Sequence, residues 1–493
     1  DPLGQRRRYE YDALGEDRAY VDPLGQRTSF ETDGYGQLTR TIFPDGLAQS
    51  REYDLAGNLV SLTDRAGGTY RYEYDALDRL VAETAPGGAV TRYEYDLAGN
   101  RVAVIDPLGH RHEAGFDAAG QLRWERDPTG VEIQVDYDAA GNPVRITDAA
   151  GNSVVHHYDA SDRLLRTVYP DGTELRLSYD AAGRLITRHD PGGRETHYQY
   201  DALHRLTGIT DALGNLTRHE YDEAGNRVAQ IDANGHTTRW TYDARGRPLS
   251  RSLPEGMQEF FEYDEGGNLL RHRTFTGEVI AYRRNRMDWV VAREAGGETV
   301  SIEYDARGRR ARVVDSRGIT RYQHDVRDRL LAVIHPGGER VEYQYDLAGR
   351  RTALGFTPLE GETRWQRYAY DAAGRLSSVT DWQGAVTRFD HDARGNRREI
   401  VYPNGIRTVF EYDSRNRPLR VETRRGETLL SALDYELAPT GHREVIREHD
   451  GWRTEYRYDD LYRLIAAEAT APDGTPYVER YRYDAVGNRL EAE

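Results

Sequence analysis

Residues 74–80 read Tyr74-Asp75-Ala76-Leu77-Asp78-Arg79-Leu80. The phrase returns as Tyr200-Asp201-Ala202-Leu203-His204-Arg205-Leu206 and as Tyr370-Asp371-Ala372-Ala373-Gly374-Arg375-Leu376. The Tyr-Asp pair that opens it recurs with a 21-residue period at Tyr53, Tyr74 and Tyr95, then at Phe116 and on through Tyr263. The register extends back to Tyr11 and forward, with small slips, to Tyr483, giving 23 positions; the second residue is Asp at 22 of them and Asn285 at the other. A fixed period of this length is the signature of a repeat architecture.

The residue four after the tyrosine position identifies what the phrase builds. It is Gly at 15 positions, Asp at four, and His204 and Asn416 once each. These residue types tolerate a left-handed backbone. Asp-x-x-Gly followed by Arg or Asn is therefore a tight turn whose aspartate can accept backbone N–H groups two residues on. On this count, placing the repeat near the C-terminus at Leu433-Asp434, only Leu437 and Tyr462 depart from the rule. The residues expected to carry the repeat are exemplified by Tyr53, Asp54 and Gly57; Tyr95, Asp96 and Gly99; Tyr137, Asp138 and Gly141; Tyr221, Asp222 and Gly225; and Tyr345, Asp346 and Gly349.

A second turn divides each unit. Asp22-Pro23-Leu24-Gly25, Asp106-Pro107-Leu108-Gly109 and Asp127-Pro128-Thr129-Gly130 have the Asp, Pro and Gly placement of a type I turn, and Asp211-Ala212-Leu213-Gly214 repeats it without proline. The segments between turns are rich in Thr, Val, Ile and Tyr, as strands prefer. Within a strand Tyr93 and Tyr95 share one face while Arg92 and Glu94 share the other. Each unit is thus two antiparallel strands, and the fold class is all-β. Stacking 46 strands at about 4.8 Å each gives a ribbon of roughly 220 Å, about 20 Å wide. A ribbon so long cannot stay flat, because strands twist and large open sheets curl, split or close. The expectation is a long antiparallel strip that spirals around a hollow space.

Composition agrees with a thin wall. Only 38% of the 493 residues are hydrophobic and 30% are charged; there are 35 Tyr but 9 Phe and 6 Trp. A solid globule of this length needs more aliphatic filling. No apolar run reaches the length of a membrane-spanning helix, so direct membrane insertion is not expected. The net charge of −16 disfavours nucleic acid and anionic membranes as partners. The absence of cysteine excludes disulfides and thiolate chemistry, and all 67 basic residues are Arg, which suits stacking on Tyr and pairing with carboxylates.

The quoted phrases resemble the YD repeats of the RHS family, and the likeness covers essentially the whole chain, 1–493. That family includes bacterial polymorphic toxins, insecticidal toxin-complex components and the animal teneurins. The resemblance implies a spiralling β-sheet that builds a hollow cocoon. In the bacterial toxins it implies a shell around a C-terminal toxin domain of the same polypeptide. It further implies delivery by type VI secretion in interbacterial competition, with secretion-spike and chaperone proteins as possible partners. The protein would be held in the cytoplasm of the producing bacterium and be extracellular after delivery. The family's boundary motif for self-cleavage, Asp-Pro-x-Gly-Leu, finds no match, because Gln5, Gln26 and His110 follow the Asp-Pro-Leu-Gly copies. The cleavage site and the toxin are therefore not expected on this chain. Residues 1–253 are the most regular, 254–303 are degenerate, and 304–493 have longer spacings that suggest extended loops.

The aspartates beside turn glycines read as turn caps, not calcium ligands, since neither an EF-hand loop nor a calcium β-roll nonapeptide occurs. His156 and His157 point to opposite faces of a strand, which argues against a metal pair. Gly34-Tyr35-Gly36 belongs to a repeat turn and lacks a following helix. No catalytic, cofactor-binding or metal-binding residue is expected. The alternative reading is a cell-surface adhesion or carbohydrate-binding protein that uses the tyrosine rows as a recognition face.

Overall fold

The computed structural model describes residues 1–493 and contains 46 strands, no helix, and a single antiparallel sheet. By contact the chain divides into two units, Asp1–Arg111 with Arg239–Tyr368, and His112–Thr238 with Ala369–Glu493. Each unit combines an earlier arm with a later arm of the chain. Within an arm every strand hydrogen-bonds its sequence neighbour, as Thr69–Tyr74 does with Leu80–Thr84 through Tyr72↔Glu83 and Glu73↔Ala82.

Both kinds of turn have the same construction. At the Tyr-Asp turn, Gly57 N–H donates to Asp54 O at 3.1 Å and Asp54 N–H donates to Asn58 O at 3.0 Å. At the second turn, Gly25 N–H donates to Asp22 O and Asp22 N–H to Gln26 O, each at 3.0 Å. The residue before the last must be left-handed, and it is: φ is 94° at Gly57 and 78° at Gly25. A type I turn followed by a left-handed residue matches the twist of the flanking strands. At the Tyr-Asp end the register also slips by one residue, for instance between Glu73 and Tyr74, a bulge that bends the strand.

The non-glycine residues at that position are Asp78, Asp162, His204, Asp288, Asp328, Asn416 and Tyr462, with φ between 58° and 66°. Tyr462 therefore obeys the turn rule despite its bulk. The placement at Leu433-Asp434 is corrected: both residues lie inside the strand Thr428–Leu437. The turn comes four residues later, at Ala438–Gly441, where Gly441 has φ 95° and donates to Ala438 O at 2.8 Å. The extra residues of this region lengthen strands, such as Pro418–Arg425 and Thr428–Leu437, while residues 358–363 form a longer connection.

The sheet has no conventional core. No large side chain is fully buried, and most of the buried apolar residues are alanines. Those within strands occupy one recurring place, opposite a long charged residue: Ala103 faces Glu94, and Ala82 faces Arg92 and Glu73. Arg111 bonds Glu94 through both guanidinium nitrogens at 2.7 and 2.8 Å, reaching over the strand that carries Ala103. Arg27 and Glu10 pair over Ala19 in the same way. The aliphatic stems of these side chains cover the alanine floor while their heads stay in water. The opposite face carries half-buried residues such as Tyr93, Tyr95 and Val104. The chain exposes 28099 Å², against about 18,500 Å² for a compact monomer of its mass, 56.2 kDa, and about 22,000 Å² for two compact halves. A single layer with two solvent-accessible faces accounts for the excess.

Ala103→Leu should push the Arg111–Glu94 bridge off its floor and destabilise by about 1–3 kcal/mol, the usual result of overpacking. Ala76→Leu, in an exposed turn, should be near neutral. Chemical denaturation of the two variants checks the difference.

Candidate functional site

Repetition makes the Tyr-Asp turn the unit from which any function is built. Asp54 Oδ1 accepts the N–H groups of Ala56 and Asn58, both at 2.9 Å, and Oδ2 accepts Asn58 Nδ2 at 3.2 Å. Asp96, Asp138, Asp222 and Asp346 take the N–H of the residue four on in the same manner, at 2.8–2.9 Å. Gly99, Gly141, Gly225 and Gly349 each close the turn with φ between 89° and 94°.

The tyrosine hydroxyl locks each turn to the sheet. Tyr53, Tyr95, Tyr221 and Tyr345 donate to the carbonyls of Leu38, Leu80, Leu206 and Leu330, fifteen residues earlier, at 2.7–3.0 Å. Tyr137 has the same place in its turn, with its register partner at Pro143. Burial raises the phenols of Tyr74, Tyr200 and Tyr345 and keeps them protonated donors. A phenol engaged with a backbone carbonyl is not available to a sugar, which weighs against the tyrosine row as a carbohydrate surface.

Where Arg follows the left-handed residue, a longer connection appears. Arg79 Nε donates to Asp75 Oδ2 at 2.7 Å, Nη1 donates to the carbonyl of Asp96 at 3.0 Å, and the guanidinium lies 4.8 Å over the ring of Tyr95. Arg184 and Arg205 repeat all three contacts with the following repeat. One side chain therefore joins its own aspartate to the next repeat's ring and backbone. The Arg79 bond is also the main reason that the Asp75 carboxyl sits below its ordinary value. Where Asn follows instead, it can reach the left-handed residue of the next repeat: Asn58 to Asp78 Oδ1 at 2.8 Å, Asn142 to Asp162 Oδ1 at 2.7 Å, Asn396 to Asn416 Oδ1 at 2.9 Å. This rung was missed in the sequence, although its signal, an Asn twenty residues before a left-handed Asp or Asn, is present there.

A second set of contacts joins the arms within each unit, between residues 224 to 272 apart. All follow one rule: a second turn of the earlier arm meets a Tyr-Asp turn of the later arm. In the first unit Gln26 donates to Asp288 at 2.8 Å and Arg307 pairs with Asp64 at 2.6 Å, while within its own arm Arg307 also pairs with Asp328 at 3.1 Å. Arg65 lies 5.2 Å from the ring of Trp289, and Arg245 pairs with Asp1. The Arg307 side chain is only 8% exposed, the most enclosed of these cations. In the second unit Arg415 and Arg417 converge on Asp171 at 3.3 and 2.9 Å, and Arg415 lies 4.1 Å over the ring of Tyr169. Asn234 donates to Asp484 at 3.0 Å, and the Tyr462 hydroxyl reaches both Asp190 oxygens at 2.8 and 2.7 Å. His442 stacks on Tyr462 at 4.6 Å. A bulky residue with φ 62° is a strained choice, and the seam contacts hold it there.

Comparison with known proteins gives one family. A family model described as RHS Repeat matches residues 53–111, 116–256, 304–355, 358–386 and 391–428, more than half of the chain. No curated protein matches in sequence. Among solved structures, the crystal structure of TcdB2-TccC3-Cdc42 matches with TM-score 0.82 and 16% identity over 99% of this chain and 35% of that one. A Photorhabdus luminescens Tc holotoxin pore with a mutated TccC3 matches with TM-score 0.79 and 16% identity, over 99% and 35%. The crystal structure of TcdB2-TccC3 matches with TM-score 0.77 and 18% identity, over 99% and 33%. The fold is shared, and this chain spans about a third of the length of those chains.

Two outcomes follow from the turn and the seam. Tyr221→Phe removes the bond to Leu206 O and should cost about 0.5–1.5 kcal/mol locally, seen as faster amide exchange in strands Leu206–Thr210 and Leu216–Tyr221. The pH response has two limbs. Asp484 is lowered to about 2, chiefly by its bond to Asn488 and with a contribution from Asn234, so its contribution holds above the ordinary value of 3.8 and is lost as pH falls towards 2. Tyr462 is raised to about 12 by burial and its bond to Asp190, so its contribution holds below 10 and is lost as pH rises through 12. Burial also lowers His156, His219, His324 and His391 from 6.5, so their contribution is lost as pH falls below that value. Thermal unfolding should therefore be level only from about pH 7 to 9, and Tyr462→Phe should make the alkaline limb shallower while leaving the acid limb unchanged.

Proposed function

This chain belongs to the RHS-repeat family, and we propose that it is a non-enzymatic segment of the wall of a hollow β-shell that encloses a toxin domain carried in the same polypeptide. The observation that carries the reading is the absence of a filled interior: the sheet is one layer thick, and no large side chain is fully buried. A layer of this kind separates two spaces. Its turns are tied repeat to repeat by arginine, and its arms are tied turn to turn by ion pairs, so the separation rests on contacts that repeat along the whole length. The half-buried Tyr and aliphatic face offers weak, unspecific contact to an enclosed chain, whereas the Arg and Glu face is suited to water.

The name of the similar Tc holotoxin pore places that structure in a toxin assembly, which favours a toxin cargo for this chain too. On this reading the wall isolates the cargo from the producing cell and restricts its folding until release outside. Export by type VI secretion in interbacterial competition, with spike and chaperone proteins as partners, completes the proposal.

Limited proteolysis of the full-length protein tests enclosure. The cargo should resist cleavage in the intact protein and be cut when isolated. Equal cleavage in both states overturns the container.

A further inference from the structure

The five Tyr-Asp turns of the first unit's earlier arm share a feature that the repeat does not require. Each carries one large apolar residue at its crest, Leu14, Tyr35, Leu55, Leu77 or Leu97, beside an alanine or glycine. All five are 71–107% exposed. Their side chains do not close the turns, which rest on the aspartate and the left-handed residue. The next four turns of the chain put only Ala or Ser at the crest, at Ala118-Ala119, Ala139-Ala140, Ala160-Ser161 and Ala181-Ala182. The turn forms equally well with alanine, so the leucines and the tyrosine serve something outside it. A row of exposed apolar side chains of this kind marks an interaction site.

The charge around the crests selects the occupant. Asp12 and Asp75 are paired with Arg18 and Arg79. Asp33, Asp54 and Asp96 bond only N–H groups of the backbone and of asparagine, and Asp78 accepts Asn58 Nδ2. This edge is therefore apolar at its crests and acidic just behind them. A second-turn edge is a poor match, because it presents aspartates too. Tyr-Asp turns that meet such aspartates bring arginine as their third residue: Arg245 to Asp1, Arg307 to Asp64 and Arg415 to Asp171. The third residues here are Leu14, Tyr35, Ala56, Leu77 and Ala98. A second copy of the same edge and an anionic membrane also bring like charge. A basic partner with an apolar stripe has the complementary chemistry.

Spacing selects the partner's secondary structure. Successive crests are two strands apart, about 9.6 Å. An extended chain covers that distance in about three residues, an odd number that turns every other contact away. An α-helix covers about 10.5 Å in seven residues, which return to the same face. Five crests span about 38 Å, the length of a helix of about 25 residues. We propose that this edge is the docking site for a basic amphipathic helix of another protein. Its heptad-spaced apolar residues lie across the crests from Leu14 to Leu97, and its lysines or arginines face the aspartates. The site does not depend on what the wall encloses.

Fluorescence anisotropy with the full-length protein tests this. The probe is a labelled synthetic helix of about four heptads, with leucines on one face and lysines flanking them. Wild type should bind it, and more weakly as salt rises. The triple variant Leu55→Ser, Leu77→Ser, Leu97→Ser should bind at least about tenfold more weakly, whereas Leu203→Ser, outside the five crests, should bind as wild type does. Leu97→Ser alone reads the same edge if the triple variant folds poorly. A probe with glutamates in place of the lysines should not bind. No binding by wild type, equal binding by the triple variant, or equal binding of the glutamate probe would each overturn the proposal. So would self-association, or co-sedimentation with phosphatidylcholine vesicles, that the triple variant loses, since each assigns the edge to a different occupant.

Discussion

The structure depends on a carboxylate that accepts two backbone N–H groups at the end of a hairpin. Asp75 Oδ1 takes those of Leu77 and Arg79 at 2.9 and 3.1 Å, donors that the ladder cannot satisfy because the chain is reversing. The left-handed residue between them completes the reversal in four residues. Since the same backbone reversal, with or without the carboxylate, occurs at both ends of most strands, strand length is held near five or six residues through most of the sheet. A narrow ribbon follows, growing by equal steps.

A ribbon of this width cannot bury a core by folding onto itself without losing its uniform pairing. Its cohesion is lateral instead. The arginine that pairs with Asp75 lies over Tyr95 and bonds the Asp96 carbonyl, so each repeat is held by its neighbour and stability accumulates along the length. Exposed ion pairs are individually worth little, about 0–1 kcal/mol. They matter here by number and because their stems roof the alanine floor at Ala82, Ala103 and Ala229. The degenerate residues 254–303 keep the strand and turn pattern, with Arg284 standing where a tyrosine is usual and donating to Asp288 O at 2.8 Å.

Much of this was legible in the sequence because it is written in contacts shorter than one repeat. Tyr, Asp and the left-handed residue lie within five positions, so period and residue type disclosed the turn, the strand count and the two faces. The misplacement at Leu433-Asp434 arose where a strand lengthens by four residues. An Asp in the middle of a strand, paired with Arg420 at 2.6 Å, imitates a turn aspartate when only spacing is read. Tyr462 defeated the residue-type rule for a different reason: its side chain is chosen by Asp190, 272 residues away.

The sequence by itself determined an all-β chain of paired strands, its two turns, the tyrosine and charged faces, and membership of the repeat family, since each rests on chemistry local to 21 residues. Only the tertiary structure decided which turn meets which. The pairing of earlier-arm second turns with later-arm Tyr-Asp turns depends on twist and bulge angles summed over a dozen repeats. No single residue encodes that sum. The same summed geometry leaves Leu55 and Leu97 facing solvent while Val326 sits against Gly87.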